Sequence, residues 1–295
     1  MAQTIPKTPF ALLSGSAGWG LRFPDDLELS GVRVLDRWLG FETPWGPCGQ
    51  WQVLELAGSL TPDGRARVLL NVFSHGWPDD AIDHAAHRRV AWVLREAGAR
   101  KVLADSTCGS LNKALAPRDL IVARDVIDFG QTQHSVMAGR LRHQGLARQL
   151  FCPSLSATLE ATARPDWPAP GRVLGHGHGI VVAHNWGPRF TSRAEARAYQ
   201  MMGGDAINQS IGPEASAMRE IGACFASSSY VVCWEDGIVE TEGESIDPIH
   251  HALAKAATRI SLLTMARADE DAACGCAALR IERAPDYATF VPGAW

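Results

Sequence analysis

The chain has no excess of positive charge. Its 295 residues carry 28 lysines and arginines against 32 aspartates and glutamates, a formal net charge of −4. No global field therefore draws it to nucleic acid or to an anionic membrane surface. It also lacks an apolar run of transmembrane length, and its opening stretch, MAQTIPKTPFALLSG, has no signal-peptide core. A cytoplasmic protein without membrane attachment is the expectation. The 7 cysteines contain one close pair, Cys274 and Cys276 in CGC. No second pair stands at zinc-ribbon spacing, which argues against structural zinc. Cys48, Cys108, Cys152, Cys224 and Cys233 stand apart along the chain and read as reduced, small apolar residues; the CGC pair is expected to be reduced, the alternative being a strained disulfide. The histidine pairs His84/His87, His176/His178 and His250/His251 have no carboxylate at HExxH spacing. No metal and no cofactor are expected. There are no internal repeats, no low-complexity segments and no stacking stripe among the 10 scattered tryptophans.

What is present is an alternation of strand and helix signals, with 46% hydrophobic residues to bury. FALLSG is an apolar strand running into a glycine-rich turn, and RARVLLNVF is a second buried strand following the TPDG turn. A helix is expected from Pro78 to Gly98, with Asp79 and Asp80 at its amino end. Further strands are read in KVLADS, DLIVARDVIDF, GIVVAHN, DAINQS and ACFASSSYVVCW. Ser192 and Glu195 form a capping box at the start of a helix, Pro213 and Gly222 bracket another, and Asp247 to Ala266 is a long amphipathic helix. The tail beyond is expected to be irregular. Such interleaving predicts an α/β fold, a single domain with a mixed central sheet flanked by helices. No composition break divides it, so one domain over 1–295 is expected, its core about residues 11–266 and its tail 267–295.

In that architecture ligands sit at the carboxyl ends of strands. Four such ends carry small polar groups: Ser14 and Ser16, Ser74 and His75, Ser106 and Thr107, and Asn208 with Ser210. Hydroxyls and glycine-freed amides from several strand ends suit an oxyanion, since each donates without bulk. Neither GxGxxG nor a Walker loop is present. SGSAG is an imperfect GxSxG elbow, so a hydrolase using Ser16 as nucleophile and His75 as base is a rival reading.

The segment GPRFTSRAEARAYQMMGGDAINQSIGPEASAMREIGACFAS, from Gly187 to Ser227, closely resembles the signature of the 5′-methylthioadenosine phosphorylase branch of the trimeric purine nucleoside phosphorylases. TCGSLNKALAPRDLIVARDVIDF and FCPSLSATLEATA resemble further segments of that family, in order, over most of Ala11 to Ala266. The resemblance implies a nucleoside phosphorylase-like fold, a homotrimer, and a purine nucleoside and orthophosphate as partners. It further implies phosphorolysis of the glycosidic bond of 5′-methylthioadenosine or another 5′-modified purine nucleoside. By position, Ser16, Ser74, His75, Ser106, Thr107 and Ser210 fall on the phosphate site. Thr107, Cys108, Gly109, Phe190, Asn208, Gln209 and Glu235 fall on the nucleoside site, and Glu235, His75 and Cys233 on the catalytic positions.

Two positions depart from the family pattern. Ser74 stands where the family has a phosphate-binding arginine; losing one charge-assisted hydrogen bond costs roughly 1.5–3 kcal/mol, about ten- to a hundredfold in anion affinity. Cys233 falls on the aspartate that recognises purine N7, whereas Glu235 retains a carboxylate and Asp236 is a near neighbour. Arg189 or a residue of a neighbouring subunit is a candidate replacement cation. The alternatives are a nucleosidase that uses water, or a family member that binds a nucleoside-like ligand without phosphorolysis.

Overall fold

A computed structural model describes residues 4–74, 86–129, 135–136, 143–187, 189–240 and 246–282. Its strands are β1 (Phe10–Ser14), β2 (Val32–Thr43), β3 (Gly46–Leu56), β4 (Arg67–Phe73), β5 (Lys101–Ser110), β6 (Leu120–Val122), β7 (Asp125–Asp128), β8 (His143–Gly145), β9 (Val173–Leu174), β10 (Val181–His184), β11 (Ala206–Asn208), β12 (Cys224–Trp234) and β13 (Arg280–Glu282). Its helices are α1 (Ala86–Ala97), α2 (Pro153–Asp166), α3 (Arg193–Met201), α4 (Ile211–Ile221) and α5 (Asp247–Arg267). Eleven strands form one mixed sheet, along the order β2-β3-β4-β1-β5-β11-β10-β7, with β12, β6 and β9 branching from β5. β1 runs parallel to β4 and β5, and β12 runs parallel to β5 from Cys224 opposite Lys101 to Tyr230 opposite Thr107.

Alternation along these strands builds two cores. Ala11 and Leu13 of β1, Leu70 and Val72 of β4, and Val102 and Ala104 of β5 face one side, against Val90, Val93 and Leu94 of α1 and Ala215 and Met218 of α4. Phe10, Leu12, Leu69 and Leu103 face the other, against Leu155 and Leu159 of α2 and Leu253, Ile260 and Met265 of α5. The single α/β domain with helices on both faces of a mixed sheet is as expected.

Several local expectations hold. The α3 capping box has both reciprocal bonds, Glu195 N donating to Ser192 Oγ and Ser192 N to Glu195 Oε2. Gly222 ends α4 at φ +80°, the left-handed region that suits glycine. The helix expected from Pro78 is described from Ala86 onward; its first turns lie outside the described residues.

Two expectations need correction. Among its described residues the tail is not wholly irregular: a short 3₁₀ turn at Cys276–Leu279 leads into β13, which pairs antiparallel with β8, Arg280 opposite Gly145. Cys152, Cys224, Cys274 and Cys276, separate in sequence, converge in space.

Candidate active site

β1, β4, β5 and β12 all end on one side of the sheet, and their last residues supply the polar groups. At β1, Ser14 Oγ donates to Asn71 Oδ1 of β4 at 2.6 Å, and Gly15 N donates to buried Asp105 Oδ1 of β5 at 2.9 Å. These bonds fix the turn that follows. Ser16 Oγ then accepts from Thr107 N and lies 2.9 Å from Thr107 Oγ1.

The network continues along β5. Ser106 Oγ stands 2.6 Å from Ser229 Oγ of β12. Asn208, at the end of β11, donates from Nδ2 to Ser106 Oγ at 2.9 Å and to the Thr107 carbonyl at 3.0 Å. Its Oδ1 accepts from Ser210 N at 2.7 Å, Ser210 Oγ at 3.0 Å and Ile211 N at 2.9 Å. Asn208 therefore ties the start of α4, whose amino end favours negative charge, to the hydroxyls of β5. Ser16, Ser106, Thr107, Asn208 and Ser210 are thus joined in one hydrogen-bonded group.

Beyond it, β12 reaches β5 a second time, Cys233 opposite Gly109, after a register shift between Val231 and Cys233. Gly109 leaves room for the Glu235 carboxyl: a Cβ would lie 1.9 Å from Glu235 Oε1 and would force the side chain to move. Glu235 is 8% exposed, and burial, followed by the charge of Asp236, pushes its carboxyl up to about 7. Burial likewise pushes the Cys233 thiol up to about 12. At neutral pH Glu235 can therefore hold or release a proton, and Cys233 remains a neutral thiol. Of the two residues read at the purine position, Glu235 is the one whose carboxyl titrates near neutrality.

The other residues read from the sequence separate into distinct groups. Cys108 is buried in the core that carries α1 and α4, which leaves its backbone to the site. Phe190 is 77% exposed, and Gln209 donates from Nε2 to the Arg189 carbonyl at 3.0 Å. Arg189, the candidate replacement cation, is committed in a two-pronged pair to Glu195, with Nη1 to Oε2 at 2.7 Å and Nη2 to Oε1 at 2.6 Å. His75 lies outside the described residues. Ser74 is half-buried; its N donates to the Ser14 carbonyl at 3.0 Å, and its Oγ lies 3.5 Å from Oε1 of Glu214. Glu214 sits 2% exposed in the first turn of α4.

Sequence reading passed over Asp105, Ser229 and Glu214 as site residues. An aspartate inside the apolar run KVLADS was the available signal for the first, because a buried carboxylate in a strand needs donors.

A model of the phosphorylase superfamily matches residues 67–267, more than half of the chain. The chain belongs to the phosphorylase superfamily. The S-methyl-5'-thioadenosine phosphorylase of Pyrococcus horikoshii is 27% identical over 286 residues, covering 92% of this chain and 97% of that protein. That of Drosophila melanogaster is 28% identical over 265 residues, covering 83% and 84%. A probable S-methyl-5'-thioinosine phosphorylase of Methanothermobacter thermautotrophicus is 27% identical over 200 residues, 68% of this chain and 65% of that protein. In fold, a methylthioadenosine phosphorylase from an antarctic soil metagenomic library superimposes with a TM-score of 0.70 at 19% identity, over 88% of this chain and 85% of that one.

Proposed function

We propose that this superfamily member cleaves the N-glycosidic bond of a purine nucleoside by phosphorolysis, with 5′-methylthioadenosine or a related 5′-modified nucleoside as substrate. The observation that carries this reading is Glu235, a buried acid raised to about 7, packed on Gly109 two residues from the Ser16–Thr107 hydroxyl pair. One end of the site thus offers a proton, and the other offers neutral donors.

The chemistry follows from that polarity. Orthophosphate is the co-substrate, with Ser16, Thr107 and Ser210 as its hydroxyl donors beside the amino end of α4. As the C1′–N9 bond breaks, its electron pair goes to the purine and positive charge develops on the sugar. A phosphate oxygen forms the new bond to C1′ from the opposite face, and protonated Glu235 donates to the departing base at N7. Ser106, held by Ser229 and Asn208, keeps the β5 end in register for this geometry. The names carried by the Pyrococcus and Drosophila relatives support a 5′-methylthio substrate. A homotrimer and a site without further cofactor belong to the same reading.

Base release from 5′-methylthioadenosine, 5′-methylthioinosine, adenosine and inosine, measured with and without phosphate, tests it. Release that requires phosphate and yields a sugar 1-phosphate is expected. An unchanged rate without phosphate would overturn it.

A second reading, hydrolysis, is favoured by one observation. Ser74 places a hydroxyl near buried Glu214 where the family resemblance places an arginine. A carboxylate there repels an anion but suits the activation of water. The same assay separates the two.

A further inference from the structure

At the end of the sheet opposite Glu235, four sulfurs meet. Cys152 is the N-cap of α2, Cys224 is the first residue of β12, and Cys274 and Cys276 flank Gly275 in the C-terminal segment. Their sulfur atoms all lie within 4.8 Å of one another, and those of Cys224 and Cys274 are 3.4 Å apart. Cys152, Cys224 and Cys276 are buried and Cys274 is partly buried.

The spacing discriminates between kinds of bond. A disulfide holds two sulfurs about 2.0 Å apart. Four thiolates around one tetrahedral zinc, at a Zn–S length of about 2.3 Å, stand roughly 3.8 Å from each other. The 3.4 Å Cys224–Cys274 separation is too long for a disulfide, and four sulfurs within 4.8 Å of one another accommodate the second arrangement.

The surroundings fit thiolates rather than apolar side chains. Leu155 N donates to Cys152 Sγ at 3.5 Å, and Gln149 Nε2 lies 3.8 Å from Cys276 Sγ. Lys101 is 3% exposed, and its ammonium donates to Cys224 Sγ at 3.5 Å. A buried ammonium is costly unless it faces negative charge. Arg219, 2% exposed, donates to the carbonyls of Cys276 and Gln149 and brings a second buried cation against the cluster. A tetrathiolate zinc centre carries two net negative charges, which these two cations offset.

We propose that Cys152, Cys224, Cys274 and Cys276 bind one zinc ion in a closed tetrathiolate site that fastens the C-terminal segment to the sheet. Zinc-ribbon spacing is absent because two ligands come from one short CxC and two from distant elements; the fold supplies the second pair. With four protein ligands the centre is closed, and its role is structural. It lies at the amino ends of β5 and β12, opposite the candidate active site, and takes no part in the chemistry proposed there.

The test uses the full chain purified under reducing conditions with zinc present, then dialysed free of unbound metal. Elemental analysis is expected to find one zinc per chain, and the Cys274→Ser/Cys276→Ser double variant less than a tenth of that. Exchange of the wild type into cobalt(II) is expected to give the thiolate charge-transfer and visible d–d bands of a tetrahedral tetrathiolate, which keeps the test decisive should the variant not fold. Chelation is expected to lower the melting temperature and zinc to restore it. Two disulfides by intact mass without metal, four titratable thiols without metal, or stoichiometric iron in place of zinc would each overturn the assignment.

Discussion

At the residue scale, the proposed chemistry turns on Glu235, and its raised pKa makes the expectation quantitative. If its protonated form donates to the leaving base, kcat falls as pH rises through about 7. Glu235→Gln is expected to lower kcat by about 10²–10⁴-fold and to flatten that alkaline limb, read from steady-state rates across pH. An unaltered pH profile in the variant would remove Glu235 from the role of acid. The stability linkage has the same sign. A carboxyl raised in the folded state contributes stability that is present below its ordinary value near 4.5 and is lost as pH rises to about 7. Wild-type melting temperature should therefore decline over that window more than that of Glu235→Gln.

Ser74 invites the complementary experiment. An arginine introduced there meets Glu214 and restores a bidentate donor for phosphate. Ser74→Arg is expected to lower KM for phosphate by roughly ten- to a hundredfold, measured at saturating nucleoside. If the site works by hydrolysis, phosphate will not affect the variant's rate. Ser74 was legible in the sequence as a small polar group at a strand end, and Glu235 through the family resemblance. That Glu235 is buried against Gly109 and Cys233 set opposite it was not legible, because both depend on a register shift in β12.

At the scale of elements, legibility tracked locality. The capping box of α3 and the Gly222 stop of α4 are local features and appear where the spacing placed them, whereas α4 begins at Ile211, two residues before Pro213. The long hairpin of β2 and β3 was not read, since three register shifts along β2 break the alternation that marks a strand. The β8–β13 pair joins segments far apart in the chain, so neither strand announces itself alone. The cysteine cluster was invisible for the same reason. The α3 cap carries a prediction of its own. Ser192→Ala removes the acceptor of Glu195 N and is expected to cost about 1 kcal/mol in urea unfolding. Arg189, followed by the Ser192 bonds, holds Glu195 down to about 2. The stabilisation from that carboxylate is present above its ordinary value near 4.5 and is lost as pH falls toward 2.

At the scale of the whole molecule, the sheet separates two kinds of work. Its carboxyl ends gather hydroxyls and an acid, and its amino ends gather four thiols. No helix among the described residues is long and apolar enough to cross a membrane. Apolar surface is left outside the cores. Much of it gathers around α3: Phe190 in the preceding loop is 77% exposed, Met201 82% and Met202 48% at its end. Phe129, 63% exposed, stacks on Tyr199 of the same helix. An exposed apolar group of this kind beside a site marks a ligand or subunit contact. The homotrimer that accompanies the proposed function supplies such a contact. Light scattering coupled to gel filtration is expected to give three times the 31.8 kDa chain mass. Met201→Asp should shift that mass toward the monomer if α3 lies in the contact. A trimer unchanged by Met201→Asp would assign the patch around α3 to ligand instead, and a monomeric wild type would remove the trimer from the reading.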